Sequence, residues 1–113
     1  MLRKLKNFLY FDWEDFIKDK RLFVTNLNGW KDFETGRNKG TKVECVIIED
    51  KTDYGDVSVS NRFEKIVIKI PKKLDIPVNQ EIRIIEGEAS VYGEFYNNLS
   101  IVAKDIELVK QGK

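Results

Sequence analysis

The sequence has no histidine and only one cysteine among its 113 residues. Without histidine there is no Ser-His or Cys-His pair for nucleophilic catalysis and no zinc site that uses histidine, and one cysteine cannot close a disulfide within the chain. Cys45 lies inside the mainly apolar residues 43–48, where we expect it to act as a small buried hydrophobe. We therefore predict no catalytic residue, no metal site and no cofactor.

A large charge of one sign and a long hydrophobic run are also missing. The chain has 20 basic and 19 acidic residues, a formal net charge of +1. Proteins that coat duplex DNA are usually much more basic, so only a local patch is available to bind a polyanion. No apolar stretch approaches the length of a membrane span, and the N-terminus lacks the features of a signal peptide. The sequence thus predicts a cytoplasmic protein with no membrane partner.

The sequence is rich in β-strand patterns. Apolar residues make up 42% of the chain, and Val, Ile, Phe and Tyr dominate them, which favours strands. Segments with alternating apolar and polar residues lie between clusters of glycine, asparagine, aspartate and proline, which are typical of turns. We predict strands at residues 21–30, 41–50, 62–70, 80–95 and 99–109.

Two of these predicted strands have to bend. In the fourth, the inward positions change from even to odd numbers, and Gly87 lies at the change, as expected of a bulge. This alternation places Phe95 on the inward side. In the fifth, the change falls near Lys104 and Asp105. Long, bent, neighbouring strands are needed at the corners of a small closed barrel, so we predict an all-β, five-stranded OB-fold barrel.

The first twenty residues differ from the rest of the chain. We predict an N-terminal arm or short helix at residues 1–20 and the OB-fold domain at residues 21–110. Asp12 is the predicted N-cap of a helix of one or two turns, with apolar residues along one side. Two roles remain open for this segment. It plugs one end of the barrel, or it is a basic arm that contacts a partner.

Motifs for catalysis are weak. The acidic residues between 49 and 56 lack the spacing of an EF-hand, and we predict that they form a solvated face. The glycine-bearing residues 36–41 lack the spacing of a P-loop. A metal-dependent enzyme that uses the acidic loop is an alternative, and it predicts that a divalent ion raises the thermal stability. We favour a protein that is not an enzyme.

The more specific signal is the combination of aromatic and basic residues. Residues 62–73 carry five basic residues and one acidic residue. Unpaired bases stack on aromatic rings while lysine and arginine contact phosphates, and OB-folds use strands 2 and 3 with two hairpin loops for this purpose. For any single aromatic residue, a role in closing the barrel is the alternative. The predicted nucleic-acid-binding residues are Trp30, Arg37, Lys39, Lys42, Tyr54, Arg62, Phe63, Lys65, Lys69 and Tyr92.

Several segments together resemble a known family. They are KGTKVECVIIEDKTDYG at residues 39–55, SNRFEKIVIKIPKKLDIPV at residues 60–78 and ASVYGEFYNNLSIVAKDIELV at residues 89–109. They are similar to the small single-stranded-DNA-binding-like proteins of integrative and conjugative elements, a family that includes the helicase processivity factor. The resemblance implies an OB-fold, binding of single-stranded DNA, and assistance to a host helicase and relaxase.

From these observations we predict a single-stranded DNA-binding protein with little sequence preference. Its role would be to support helicase-driven unwinding, replication or conjugative transfer of a mobile genetic element. The alternative is an OB-fold protein-interaction module that docks a helicase, a relaxase or another copy of itself and has little affinity for DNA. The near-zero net charge favours this alternative. A homo-oligomer is compatible with both.

Overall fold

The structure, a computed structural model, describes residues 1–95 and 97–109, apart from the side chain of Lys6. Five strands are present in these residues, as predicted, although the third begins at residue 65 rather than 62. The elements are a 3-10 turn at Leu5–Phe8, the helix α1 at Trp13–Ile17, and the strands β1 at Lys20–Lys31, β2 at Asn38–Asp50, β3 at Lys65–Ile70, β4 at Glu81–Tyr92 and β5 at Asn98–Leu108.

The strands form a closed barrel in the order β1-β2-β3-β5-β4. The barrel closes where Leu22 of β1 pairs with Ile82 of β4. All neighbouring strands are antiparallel except β3 and β5, which are parallel. The predicted all-β, OB-like barrel of five strands is therefore confirmed.

The inward side chains of the strands fill the barrel. They alternate with exposed residues, as the period of two predicts, and each large aliphatic side chain contributes about 1.5–3 kcal/mol when fully buried. Cys45 is among them, and burial raises the pKa of its thiol to about 12, so it is a core residue as expected. The buried core consists of Trp13, Leu22, Val24, Val43, Cys45, Ile47, Ile68, Ile70, Ile82, Ile101, Ala103 and Ile106.

In β4 the more buried residues change from even to odd numbers next to Gly87, where the sequence predicts the change. The residue with an unusual backbone is Glu86, whose φ is +50°, immediately before Gly87. Gly87 leaves room for the Trp13 side chain, because a Cβ atom at position 87 would lie 2.5 Å from Nε1 of Trp13. The prediction that Phe95 faces inward is wrong. β4 ends at Tyr92, and Phe95 lies in the following turn with its surface 77% exposed.

α1 closes one end of the barrel. Its N-cap is Asp12, as predicted, and the Asp12 carboxylate accepts a hydrogen bond of 3.1 Å from the backbone N–H of Asp15. Trp13 is buried, and Phe11 and Phe16 pack against the core. Of the two roles left open for residues 1–20, residues 11–17 therefore have that of a plug, while residues 1–10 remain outside the core. None of the described helices is long and apolar enough to cross a membrane.

Candidate nucleic-acid interface

β1 and β2 continue past the barrel as a two-stranded ribbon. The register between them shifts around Thr25, whose hydroxyl donates a hydrogen bond of 3.1 Å to the carbonyl oxygen of Glu44. Thr25 is therefore an extra residue in β1, and a bulge of this kind bends the strand and increases its twist. Thr41 of β2 pairs with Ile70, the last residue of β3. The part of the ribbon between Trp30 and Gly40 therefore lies beyond the end of β3.

The β4–β5 hairpin lies toward the opposite end of β3. β3 and β5 are parallel and pair only at Ile68 with Ile101 and at Lys69 with Val102. Because of this parallel direction, the start of β5 lies beside the start of β3. The tips of the two hairpins are therefore at opposite ends of β3. An open cleft with a volume of 1120 Å³ lies along β3 between them.

The cleft brings together four of the predicted binding residues. Its floor includes apolar side chains of the barrel interior, and its rim is mainly polar. Asn28 of β1 pairs with Lys42 of β2, and Lys42 pairs with Lys69 of β3, so the cleft wall crosses three strands. The four predicted residues that line it are Lys42, Lys65, Lys69 and Tyr92.

Trp30 is the centre of a second group beside the cleft. The Nζ atom of Lys39 lies 4.6 Å from the centroid of the Trp30 ring, and Nζ of Lys69 lies 5.9 Å from it. Both are within the range of a cation–π interaction. We call these three residues, together with Lys42, which pairs with Lys69 across β2 and β3, the Trp30 cluster. Lys69 also lines the cleft, so the cluster and the cleft form one continuous surface.

This surface is not uniformly basic. Glu44 lies at its centre, where the Asn26 side-chain amide donates a hydrogen bond of 3.3 Å to the carboxylate and the Asn28 amide donates a second one. Glu64 also lines the cleft. The surface therefore offers separate positive groups around a hydrogen-bonded carboxylate, which is consistent with the low net charge of the chain.

Arg62 and Phe63 lie at the other end of β3. The prediction that Phe63 is on the strand is wrong, since it precedes β3 with a φ of +72°. Its N–H donates to the carbonyl oxygen of Ile47 at 2.6 Å, and the Arg62 guanidinium lies 4.6 Å from its ring centroid. The ring is still 65% exposed. Lys65 and Lys69 are about 13 Å apart along the strand, from its rise per residue.

Tyr54 does not line the cleft. Its hydroxyl donates a hydrogen bond of 2.7 Å to Asp50 and accepts one of 2.8 Å from the side chain of Asn61. Asp50 pairs with Lys20 at one end of the β1–β2 ladder, whereas Trp30 is at the other end. Tyr54 therefore holds the loop of residues 51–61 in place, and the structure does not bring it to the Trp30 cluster.

Two predicted residues, Arg37 and Tyr92, lie at the ends of the two hairpins. Arg37 is exposed on the β1–β2 ribbon, and its carbonyl oxygen accepts a hydrogen bond of 2.7 Å from the N–H of Asp32. Tyr92 ends β4 opposite Asn98 and is 55% exposed at the edge of the cleft. The ten predicted residues thus divide between the Trp30 cluster, the cleft, the hairpin ends and three positions in or next to the loop of residues 51–61.

Sequence reasoning missed several polar residues of the cleft. They are asparagines and serines of the strand ends, which the sequence presents as turn formers rather than as ligands. The combined pairing of β1 with β2, β2 with β3, β3 with β5 and β5 with β4 places them around one opening. The missed polar residues of the cleft are Asn28, Asn61, Ser90, Asn97, Asn98 and Ser100.

The acidic residues do not form a solvated face as a group. The prediction is wrong for Asp50, whose side chain is fully buried. Burial opposes its ionisation, but hydrogen bonds from the Asn61 N–H, the Tyr54 hydroxyl and Thr52 outweigh this effect and lower the pKa of Asp50 below its usual range. Among residues 1–95 and 97–109 there is no group of three acidic or cysteine side chains placed to hold a metal ion.

Comparisons of the chain with protein-family models, with curated proteins and with solved structures found no match. The resemblance inferred from the sequence therefore remains an expectation. The functional interpretation depends on the residues and geometry of the cleft and of the Trp30 cluster.

Proposed function

We propose that this protein binds single-stranded DNA with little sequence preference and without catalysis. The observation that carries the proposal is the continuous surface formed by the Trp30 cluster and the cleft. It combines an aromatic ring from β1 with lysines from β2 and β3, and Tyr92 lies at its edge. Stacking of a base on an aromatic ring is worth about 1–3 kcal/mol, and lysines add phosphate contacts.

The surface suits a single strand better than a duplex. Stacking requires unpaired bases, whose faces are hidden within a double helix. The lysines of the surface surround Glu44, so there is no broad basic face that would favour duplex DNA by charge alone. We therefore expect modest affinity with a clear preference for single strands.

The biological role that we propose follows from the sequence resemblance. The protein would act in the cytoplasm beside a helicase and a relaxase during unwinding, replication or conjugative transfer of a mobile genetic element. The open cleft is compatible with this role because a strand can enter it from the side without threading.

The test is fluorescence anisotropy with a labelled oligonucleotide of about thirty bases, roughly twice the largest site of one OB-fold. A duplex of equal length is measured beside it at low and at physiological salt. We expect salt-sensitive binding to the single strand that is clearly tighter than binding to the duplex. Trp30→Ala should weaken this binding by about 1–3 kcal/mol.

Two variants control this experiment. Trp30→Phe keeps a ring for stacking and should retain most of the affinity. Lys18→Gln removes the lysine at the C-cap of α1, which is 62% exposed and pairs with Asp15, so it should leave binding unchanged. If the folded Trp30→Ala variant binds as tightly as the unchanged protein, the Trp30 cluster is not the binding surface.

A protein-interaction module is the second candidate function, and a specific observation favours it. Phe33 at the tip of the β1–β2 ribbon is fully exposed, and Phe95 at the tip of the β4–β5 hairpin is largely exposed. Aromatic side chains are enriched at protein–protein interfaces, and these two are accessible to a partner. Absence of oligonucleotide binding even at low salt would favour this function, with a helicase, a relaxase or a second copy as the partner.

A further inference from the structure

The first ten residues leave a large apolar surface uncovered. Within the part of the chain that the structure describes, no strand or helix packs closely against them, and the first side chain that joins the core is Phe11. Contiguous apolar surface of this kind usually marks a binding site. Six large side chains here are 57–114% exposed, namely Met1, Leu2, Leu5, Phe8, Leu9 and Tyr10.

These residues have the pattern of an amphipathic helix. At 3.6 residues per turn, five apolar side chains would fall within an arc of about 120°, and Arg3 would lie nearly opposite its centre. The five apolar residues in this arc are Met1, Leu2, Leu5, Phe8 and Leu9.

The charge of this segment has one sign. Arg3, Lys4 and Lys6 are basic, and the first acidic residue is Asp12, at the cap of α1. A short helix with an apolar face and a basic polar face is typical of helices that lie in the interface of an anionic bilayer. We propose that residues 1–10 bind an anionic lipid surface as an amphipathic helix.

A lipid surface is the occupant that these features favour. A bilayer accepts an apolar stripe without a matching pocket, and its anionic headgroups complement a cationic flank. The cleft of a second copy offers a basic segment less, because the three lysines that line it outnumber its two glutamates, Glu44 and Glu64. The expectation of no membrane partner is based on the lack of a membrane-spanning stretch and of a signal peptide. This segment would instead lie on the membrane surface without crossing it.

The backbone shows that the helix is not yet formed in the free protein. Lys4 has a φ of +59°, in the left-handed region, and only a short 3-10 turn follows at Leu5–Phe8. The N–H of Asn7 donates a hydrogen bond of 3.0 Å to the carbonyl oxygen of Lys4. Helix formation on lipid would return Lys4 to right-handed geometry, which residues other than glycine prefer. Binding should therefore increase the helix content.

The experiment is co-sedimentation of the full chain with two kinds of vesicle. One kind contains phosphatidylcholine alone, and the other contains phosphatidylcholine with phosphatidylglycerol. We expect binding to the second kind and little to the first, together with a gain of helix signal in far-ultraviolet circular dichroism. Phe8→Ser with Leu9→Ser, and separately Arg3→Gln with Lys4→Gln, should each lower the partition coefficient by about tenfold or more.

Phe95→Ser is the matched control, because Phe95 and Phe8 are 77% and 81% exposed and Phe95 lies on a hairpin tip. It should leave vesicle binding unchanged. The variants of residues 1–10 should keep the thermal midpoint, since the substituted side chains are all exposed. Equal binding to both vesicle types, or to neither, would overturn the proposal. So would arm variants that weaken oligonucleotide binding while vesicle binding is unchanged.

Discussion

Nζ of Lys20 lies 3.4 Å from Oδ1 of Asp50 at the paired ends of β1 and β2, and both side chains are fully buried. The Lys20 ammonium also donates a hydrogen bond of 2.8 Å to the carbonyl oxygen of Phe16 in α1. The Asp50 carboxylate accepts hydrogen bonds from the Tyr54 hydroxyl at 2.7 Å and the Asn61 N–H at 2.8 Å. This ion pair therefore joins the barrel to α1 and to the loop of residues 51–61.

Breaking this pair should destabilise the fold strongly. Lys20→Met or Asp50→Asn leaves one buried charge without its partner, which typically costs about 3–5 kcal/mol. The measurement is the free energy of unfolding from a denaturant titration. Lys104 and Glu86 form the control pair at the same distance of 3.4 Å, but both side chains are mostly exposed. Lys104→Met should have little effect, since exposed pairs contribute little.

The double variant tests whether the two charges act together. Lys20→Met combined with Asp50→Asn should cost less than the sum of the single variants, because neither charge is then left alone. Losses that simply add would show that the two side chains stabilise the protein independently.

The stability should fall in acid because of Asp50. Its pKa is lowered by folding from an ordinary value of 3.8, so the unfolded state binds a proton first as the pH drops. This contribution is fully present above the unfolded pKa and is lost as the pH falls toward the folded pKa. The free energy of unfolding should therefore decrease below about pH 4, by up to about 1.4 kcal/mol per pH unit for this group.

The pH dependence is checked by denaturant titrations between neutral pH and the acid range. The double variant of Lys20 and Asp50 lacks this titration and should show a shallower decrease below pH 4. Other paired carboxylates, such as Glu81 beside Arg21, contribute in the same direction in both proteins, because their pKa is also lowered. Identical slopes in the two proteins would contradict the assignment to Asp50.

Gly87→Ala should displace Trp13. The new Cβ atom would lie 2.5 Å from Nε1 and 2.8 Å from Cε2 of the indole, closer than packed atoms approach. We expect a loss of about 1–3 kcal/mol from overpacking and a change in tryptophan fluorescence. Gly29→Ala is the control, because its nearest neighbour would be 3.9 Å away. An unchanged stability in Gly87→Ala would mean that α1 shifts at no cost.

Two lysines of the Trp30 cluster should affect the salt dependence of DNA binding, if the proposed function holds. Lys39 and Lys69 lie within 6 Å of the Trp30 ring and can reach phosphates of a strand stacked there. Each of Lys39→Gln and Lys69→Gln should reduce the slope of log affinity against log salt by about 0.7. A weaker affinity with an unchanged slope would instead indicate that these lysines only hold Trp30.

The alternation of residues along the strands predicted much of the barrel. Ile68 and Ile70 are buried while Lys65 is exposed, as their parity requires. Prediction by parity fails where a strand ends. Apolar and polar residues can go on alternating in the sequence after the backbone has left the extended conformation of the strand. This failure explains Phe63 and Phe95, which continue the pattern of a strand but lie outside it.

The candidate site was less predictable than the fold. The sequence alone indicates that aromatic and basic residues concentrate around β2 and β3, and this concentration led to Trp30, Lys42 and Lys69. It does not indicate which of them meet. Trp30 and Lys69 come within 5.9 Å only because β2 pairs with both β1 and β3 in a particular register.

The sequence by itself determined five strands, the cap of α1 at Asp12 and a buried Cys45, because these depend on local periodicity and on the chemistry of neighbouring residues. The tertiary structure decided that Asp50 is buried beside Lys20, that Tyr54 holds a loop, and that a cleft opens between two hairpins. These features depend on the parallel pairing of β3 with β5 and on contacts between residues far apart in the chain, which no local pattern encodes.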